Sequence, residues 1–494
     1  MSVTSLDSLR PSRTLAWPPA WFWLAAGAAL MVLVLGPKML LDTDTLWQIK
    51  VGEWVLAHRA VPYVDVYSLS KAGQPWMSSS WLSQVLFAVA YAAAGWAGVI
   101  MLCAVALAGA VAVLARFLEQ RLSPVSACFV ATMAFTLSSF HFWARPHVLV
   151  MPVMVAWAWG LIAAADRATR PSFRLLGLLV LWTNLHGSFV FGVMLIGAVG
   201  LDALWRAPSA RRRPLVVQWA LFGLGGLVAC CLTPYGWDSL LAAHKILDLG
   251  EMLRVISEWQ PVDFSIFVMF EGALLAMIGA ALYFGVRLPP TRILLVLGLL
   301  HMALAHMRNV EVFVLLLPIM VLTPVADQFG IAQRQVERSP GRFGLLPAVA
   351  AAAVVLGLFA AVRDIRPPNE QNYASAIAAL REHNAKRVFN DYGFGGYMIW
   401  VGMTPLIDGR AELYGERFAL DHWNALLLRD PDAFFRSVET YNLDSAVFYV
   451  GTPLAALMDH IEGWKKVFSN DMAIVYVRTG PVTGRILPNT PRSD

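Results

Sequence analysis

Residues 21–48 read WFWLAAGAALMVLVLGPKMLLDTDTLWQ, an apolar run broken only by Lys38 and followed by Asp42-Thr43-Asp44 and Trp47-Gln48. As a helix, about 20 residues rise about 30 Å, the hydrocarbon thickness of a bilayer. Two carboxylates therefore stand where the first span meets water. Charge at this depth is costly and is usually paired or functional. Asp residues so close together can share a divalent cation, or one can act as a general base while the other tunes it. The alternative is ordinary polar punctuation after a helix end.

Apolar stretches of the same kind recur as far as Val362. The chain of 494 residues is 58% hydrophobic and 14% charged, with a mean hydropathy of +0.59, against about 25% charge in soluble domains. These values exclude a soluble enzyme and make the bilayer the solvent for most of the chain. Of the 19 tryptophans, Trp21, Trp96, Trp143, Trp182 and Trp237 flank apolar stretches, where an amphipathic ring suits the headgroup region. Cys103, Cys128, Cys230 and Cys231 all lie inside apolar segments, so neither a disulfide framework nor a CxxC metal site is expected. The net charge of +5 reflects arginines between spans, which insertion topology requires, and calls for no nucleic-acid partner.

Placing the Arg-bearing loops at 116–121, 167–174, 206–213, 287–292 and 334–342 in the cytoplasm leaves 42–80, 140–147, 184–187, 233–265, 306–311 and everything after Arg363 outside. Roughly twelve apolar segments are visible, yet a cytoplasmic N-terminus and an outer C-terminus require an odd number of crossings. The short stretch 81–96 is the candidate re-entrant or interfacial segment, which gives about eleven spans, with about thirteen as the alternative. The expected organisation is a polytopic α-helical membrane protein with a small C-terminal α/β domain. A cytoplasmic tail covers 1–19, with no cleavage site after it, and the membrane domain covers 20–363 with its first outer loop at 42–80. A soluble outer domain follows over 364–480 and a disordered tail over 481–494. In the soluble part, 372–383 has a helical amphipathic pattern, and the runs 387–389, 405–407, 445–450 and 472–477 read as strands.

Asp42-x-Asp44 after the first span, a juxtamembrane loop bearing Gly and Pro, many spans and an outer C-terminal domain resemble the GT-C superfamily of membrane glycosyltransferases. Asp44-Thr-Leu-Trp47, Trp182-Thr-Asn-Leu-His186-Gly, Thr233-Pro-Tyr-Gly and Asn390-Asp-Tyr-Gly-Phe-Gly-Gly-Tyr resemble a bacterial branch of that superfamily. The resemblance implies transfer of a sugar from a polyprenyl-phosphate-linked donor to a glycan, lipid or protein acceptor. It places the reaction on the outer face of the bacterial inner membrane, with the C-terminal domain periplasmic. Asp42 and Asp44 would be the catalytic carboxylates or the ligands of a Mg or Mn ion. Trp47, His186, Glu258, Asn309, Asp391, Asp408 and Arg410 are the candidate substrate-binding residues. The chain lacks the WWD-type tripeptide of the oligosaccharyltransferases and the paired acidic residues of the mannosyltransferases, so the resemblance names neither sugar nor acceptor.

The predicted outer turns support such a site independently. His141, Arg145 and His147 share one turn, Asn184 and His186 a second, Tyr235, Glu258, Trp259 and Asp263 a third, and Arg308, Asn309 and Glu311 a fourth. A donor phosphate at headgroup level needs fixed cations at this height, which makes Arg145, His147 and Arg308 its candidate ligands. Taken singly, each is also explained by an ion pair or by snorkelling at a helix end. Asp391 and the Asp408-Gly-Arg410-Ala-Glu412 segment lie at expected strand ends, where a structural Asp–Arg network is the alternative to substrate contact. Walker, HExxH, GxSxG and haem motifs are absent. The rival functions are a transporter or flippase of a lipid-linked sugar and a non-catalytic envelope assembly protein.

Overall fold

The computed structural model describes residues 18–241, 250–254, 256–334 and 342–480. The expected N-terminal and C-terminal tails and most of the loop near 334–342 lie outside the described residues. Backbone polar groups in hydrocarbon must be satisfied internally, and the apolar stretches accordingly fold as helices. In order these are α1 (Ala20–Met39), the juxtamembrane α2 (Asp44–His58), α3 (Trp81–Leu118), α4 (Pro124–Ser138), α5 (Pro146–Asp166) and α6 (Leu176–Leu185). They continue with α7 (Phe189–Arg206), α8 (Ser209–Cys230), α9 (Val268–Tyr283), α10 (Pro290–Ala305), α11 (Val310–Gln328) and α12 (Arg342–Val362). Among the described residues, seven helical segments are long and apolar enough to cross a membrane, and four shorter apolar helices accompany them.

The stretch 81–96 is neither a loop nor a full span. It is the first arm of the 38-residue α3, which breaks at Ala94 and at Gly95, where φ is 58°. A left-handed φ favours glycine, and beyond the bend the chain folds back until Gly98 abuts the Ala90 carbonyl. The outer loop 42–80 likewise contains the regular helix α2.

In lipid, helices gain little from apolar burial against one another and associate by close packing of small residues. The second arm of α3 packs on the central α5, where Gly109 faces Pro152 and Phe117 meets the Trp159 ring. At the end of the bundle opposite Asp42, Arg292 is wholly buried. Its Nε and Nη2 reach Asp202 and Asp166 at 2.7 Å, and Arg206 also reaches Asp166, at 2.6 Å. This knot ties α5, α7 and α10 together and places Arg292, read as part of a basic loop, in the buried first turn of α10.

The C-terminal domain begins with α13 (Glu370–Glu382), whose amphipathic face packs on a four-stranded sheet. Its strands, β1 (Val388–Asn390), β2 (Ser445–Tyr449), β3 (Trp464–Ser469) and β4 (Ala473–Arg478), lie in the order β1-β2-β4-β3. The β1–β2 pair is parallel and the others antiparallel. The run 405–407 contributes only an isolated bridge from Pro405 to Val388. Short helices α14 (Gly395–Trp400), α15 (Ala411–Leu426), α16 (Asp432–Tyr441) and α17 (Pro453–Met458) complete the layer. The domain sits directly on the first outer loop. Thr43 Oγ1 donates to the Gly393 carbonyl at 2.7 Å, Leu69 N to Pro405 O at 2.8 Å, and Arg410 pairs with Asp65 at 2.6 Å.

Candidate active site

Asp42 ends the short link from α1 and Asp44 opens α2, an N-terminal position that suits a carboxylate. The Asp44 backbone N–H donates to Asp42 Oδ1 at 2.9 Å, so the pair is locally ordered. Arg145 precedes Pro146 and is held extended, as a residue before proline prefers, at φ −119° and ψ 162°. Its turn is pinned to the Asp link from both sides: Ala144 N donates to Met39 O, and Thr45 Oγ1 to Ala144 O. The guanidinium enters between the two aspartates, contacting Asp42 directly and Asp44 at 2.9 Å, while its Nη1 reaches Glu258 at 2.9 Å.

Glu258 comes from the turn Ser257–Trp259 and joins the remaining outer turns. It accepts from Arg308 at 3.1 Å and lies 3.3 Å from His141 Nε2. Burial alone would raise its carboxyl, but Arg145, Arg308 and His141 together hold it well below the usual range. For Asp44 the balance falls the other way. Burial pushes its carboxyl up to about 7, aided by Asp42 and opposed by Arg145 and the Trp47 N–H, which donates at 2.9 Å. Burial and the nearby Arg308 charge lower His186 to about 3, so its imidazole is neutral.

Three cavities meet at this cluster. The first, of about 200 Å³, is polar and runs from Asp44 and Arg145 past Trp47, Gln48 and Trp76 to Gln84. The second, of about 550 Å³, begins at Asp42 and Arg145 and leaves between the C-terminal end of α4 and the N-terminal end of α9, past Leu137, Phe140, Phe267 and Phe270. The third, of about 880 Å³, holds both aspartates and both arginines. It passes Phe191, Met194 and Met302 below and Tyr392, Glu412 and Trp423 of the C-terminal domain above.

Asp42, Asp44, Trp47, Arg145, His147, His186, Glu258, Arg308 and Asn309 all line these cavities. Three expected substrate residues do not. Asp408 and Arg410 are fully buried, their charges consumed by each other at 2.7 Å and by Asp65 at 2.6 Å, so they join the C-terminal domain to the first outer loop. Asp391 is spent on Thr452 Oγ1 at 3.2 Å and the Gly393 N–H. Glu258 occupies the position between the two arginines rather than a free substrate-binding position. Asp42 and Asp44, expected as catalytic carboxylates or as ligands of a divalent ion, bracket the Arg145 guanidinium.

The residues most consistent with metal binding are His141, His147 and Glu311, whose ligand atoms lie within 4.8 Å of one another. His141 Nδ1 is 3.1 Å and His147 Nε2 3.9 Å from Glu311 Oε2. Sequence reading weighed Glu412 only as the end of the 408–412 segment and did not single out Trp76. The Trp76 indole donates to Glu412 at 3.1 Å, and burial raises the Glu412 carboxyl. The only signal for Glu412 was its place two residues after Arg410. Gly409 was missed as well: a Cβ built on it would overlap Asp44 Oδ1 and lie 3.0 Å from Trp47 Nε1.

No family model and no curated protein sequence matches this chain. Among solved structures it is similar to the oligosaccharyltransferase of Archaeoglobus fulgidus in the apo form, at 11% identity and a TM-score of 0.49 over 85% of this chain and 69% of that one. It is also similar to ArnT from Cupriavidus metallidurans bound to undecaprenyl phosphate, at 13% identity and a TM-score of 0.48 over 92% and 97%. A third is the archaeal oligosaccharyltransferase AglB from Archaeoglobus fulgidus with an inhibitory peptide and a dolichol-phosphate, at 10% identity and a TM-score of 0.46 over 92% and 75%.

Proposed function

We propose that this protein is a membrane glycosyltransferase of the GT-C type that moves a sugar from a polyprenyl-phosphate donor to a hydroxyl on the outer face of the membrane. The observation that carries this reading is the convergence of a polar cavity and two apolar openings on the Asp42–Asp44–Arg145–Glu258 cluster. A polyprenyl-linked sugar has three chemically distinct parts, and each has a counterpart. The isoprenoid tail suits the opening between α4 and α9, whose apolar wall residues Ile266, Val268 and Met269 are exposed. The phosphate suits the place of Glu258, because two arginines that grip a carboxylate offer the same fixed charge and forked donors to a phosphate. The sugar suits the polar cavity, where Trp47 and Trp76 offer aromatic walls and Glu412 and Gln48 offer hydrogen-bonding groups.

Asp44 is the base. A carboxyl near 7 accepts a proton at neutral pH far better than an ordinary one. The acceptor oxygen attacks the anomeric carbon, its proton passes to Asp44, and the bond from that carbon to the phosphate oxygen breaks. The phosphate leaves with the electron pair, and Arg145 and Arg308 stabilise its charge. Attack from the side opposite the phosphate inverts the anomeric centre. The neutral His186, whose Nδ1 accepts from the Ser188 backbone N–H at 3.2 Å, keeps its remaining N–H free to hold substrate oxygens.

His141, His147 and Glu311 offer the nitrogen and oxygen donors that zinc prefers and are the candidate ligands of a divalent ion. There it would supply a fixed positive charge beside the phosphate position. The inner membrane and a periplasmic C-terminal domain fit a donor that reaches the site on a lipid carrier.

The test is transfer of radiolabel from polyprenyl-phosphate sugars by membranes containing wild-type, Asp44→Asn or Arg145→Ala protein at matched abundance. Transfer by wild type and its loss in both variants supports the reading. Absence of transfer from every donor, with normal function of the variants in cells, overturns it in favour of a flippase or assembly role.

A further inference from the structure

We infer that the acceptor, like the donor, is a membrane lipid, which approaches Asp44 through the opening between α7 and α10. The inference rests on the glycosyltransferase reading above and extends it to the second substrate. A donor has one hydrocarbon tail, and the α4–α9 opening accounts for it. The third cavity is a second, roomier apolar opening of about 880 Å³ that reaches the same charged cluster.

Its floor is built from the apolar helices α7 and α10. Val190, Phe191 and Met194 are the second, third and sixth residues of α7, and Met302 lies three residues before the end of α10. At 1.5 Å per residue the deepest of them is about 8 Å below the outer helix end. Met194 is 62% exposed on the flank of a helix long and apolar enough to span the membrane, so this floor opens sideways to lipid. A water-soluble sugar has no apolar group to set against these side chains. A hydrocarbon chain covers them and is already anchored at the correct height.

The roof differs from that of the α4–α9 opening. Tyr392, Gly409, Glu412 and Trp423 of the C-terminal domain overhang this opening, giving space and polar groups for a bulky headgroup. Both aspartates line it, whereas only Asp42 lines the α4–α9 opening, so a headgroup hydroxyl arriving here meets the base directly. In the reaction the headgroup oxygen forms the new bond to the anomeric carbon and its proton passes to Asp44. The polyprenyl phosphate leaves with the electron pair of the broken bond and withdraws through the other opening.

The experiment uses the full-length protein in liposomes of total bacterial membrane lipid, supplied with polyprenyl-phosphate [14C]-sugars together with bacterial envelope protein and water-soluble glycan as competing acceptors. The expected result is label in a new chloroform–methanol-extractable lipid distinct from the donor. Met194→Trp and Met302→Trp, which narrow the opening, should each raise the lipid concentration for half-maximal transfer at least 5-fold and leave the donor KM within 2-fold. Label appearing only in protein or in water-soluble glycan, with donor consumed, overturns the lipid acceptor and leaves glycosyl transfer intact. A raised donor KM in the same variants overturns the assignment of this opening to the acceptor. Consumption of no donor by wild type overturns the glycosyltransferase reading and this inference with it.

Discussion

Gly409→Ala tests whether the C-terminal domain is part of the reaction centre or merely sits above it. The added methyl would lie 2.7 Å from Asp44 Cγ and overlap its Oδ1. An ordinary contact needs about 3.5 Å, so Asp44 or the Asp408–Arg410 turn must move by at least about 0.8 Å to clear Cγ, and further to clear the overlapping Oδ1. That turn resists movement, because Arg410 is fully buried and paired with both Asp408 and Asp65. Asp44 is therefore the group displaced, and the Trp47 N–H bond to it is strained as well. A displacement near 1 Å at a reacting group costs about 10²-fold in rate. Overpacking costs about 1–3 kcal/mol in stability, small enough for the protein to remain folded in the membrane. The assay is the transfer rate from polyprenyl-phosphate sugar by purified protein in liposomes, with monodispersity in detergent as the control for folding. The expected result is a kcat about 100-fold lower at nearly unchanged abundance. A wild-type rate in a folded Gly409→Ala protein would show that the turn does not bear on Asp44 during reaction.

Three further outcomes follow from the same geometry. Asp44 must be deprotonated to act, and burial holds its carboxyl near 7, so kcat should rise with pH through about 7 and this limb should vanish in Asp44→Asn. Arg145→Ala removes the guanidinium shared by Asp42, Asp44 and Glu258 and should lower kcat by about 10²–10³, as loss of a charge-stabilising donor does, with Arg145→Lys restoring part of it. Arg410→Met leaves Asp65 and Asp408 buried without their cation and should cost about 3–5 kcal/mol, read as a lower Tm and faster proteolysis in the linker near Arg363.

Elemental analysis offers a fourth. Purified protein should carry zinc near one equivalent, lost in His147→Ala and retained in Asp42→Ala, if the cluster of His141, His147 and Glu311 is the metal site. Retention in the first variant and loss in the second would return the ion to the aspartates.

Features that depend on neighbours along the chain were legible in the sequence. Apolar runs of bilayer length can only be helices in hydrocarbon, so the polytopic fold follows from composition and segment length. The Asp42-x-Asp44 pair at the first span end was visible for the same reason, as were the helix at 370–382, by its amphipathic periodicity, and the buried strand at 445–449, by its short apolar run. β3 escaped notice because Lys465 and Lys466 stand consecutively in an exposed strand and break the alternation that marks a half-buried one.

The pairing of charges was decided only by tertiary structure. Asp42, Arg145, Glu258 and Arg308 come from four separate turns, and nothing local in the sequence says that Arg145 enters between the aspartates. Asp408 and Arg410 carry the same residue types as a binding site, and only their complete burial against Asp65 makes them structural. Arg292 looked like an ordinary loop arginine until the packing of α5, α7 and α10 enclosed it with Asp166 and Asp202. Residue type and spacing thus determined that this chain crosses the membrane and collects ionisable groups on one side. Whether each charge binds a substrate, ties two domains together or activates a neighbour depended on burial and on partners up to 345 residues away, because the energy of a charge in low dielectric is set by what surrounds it in space.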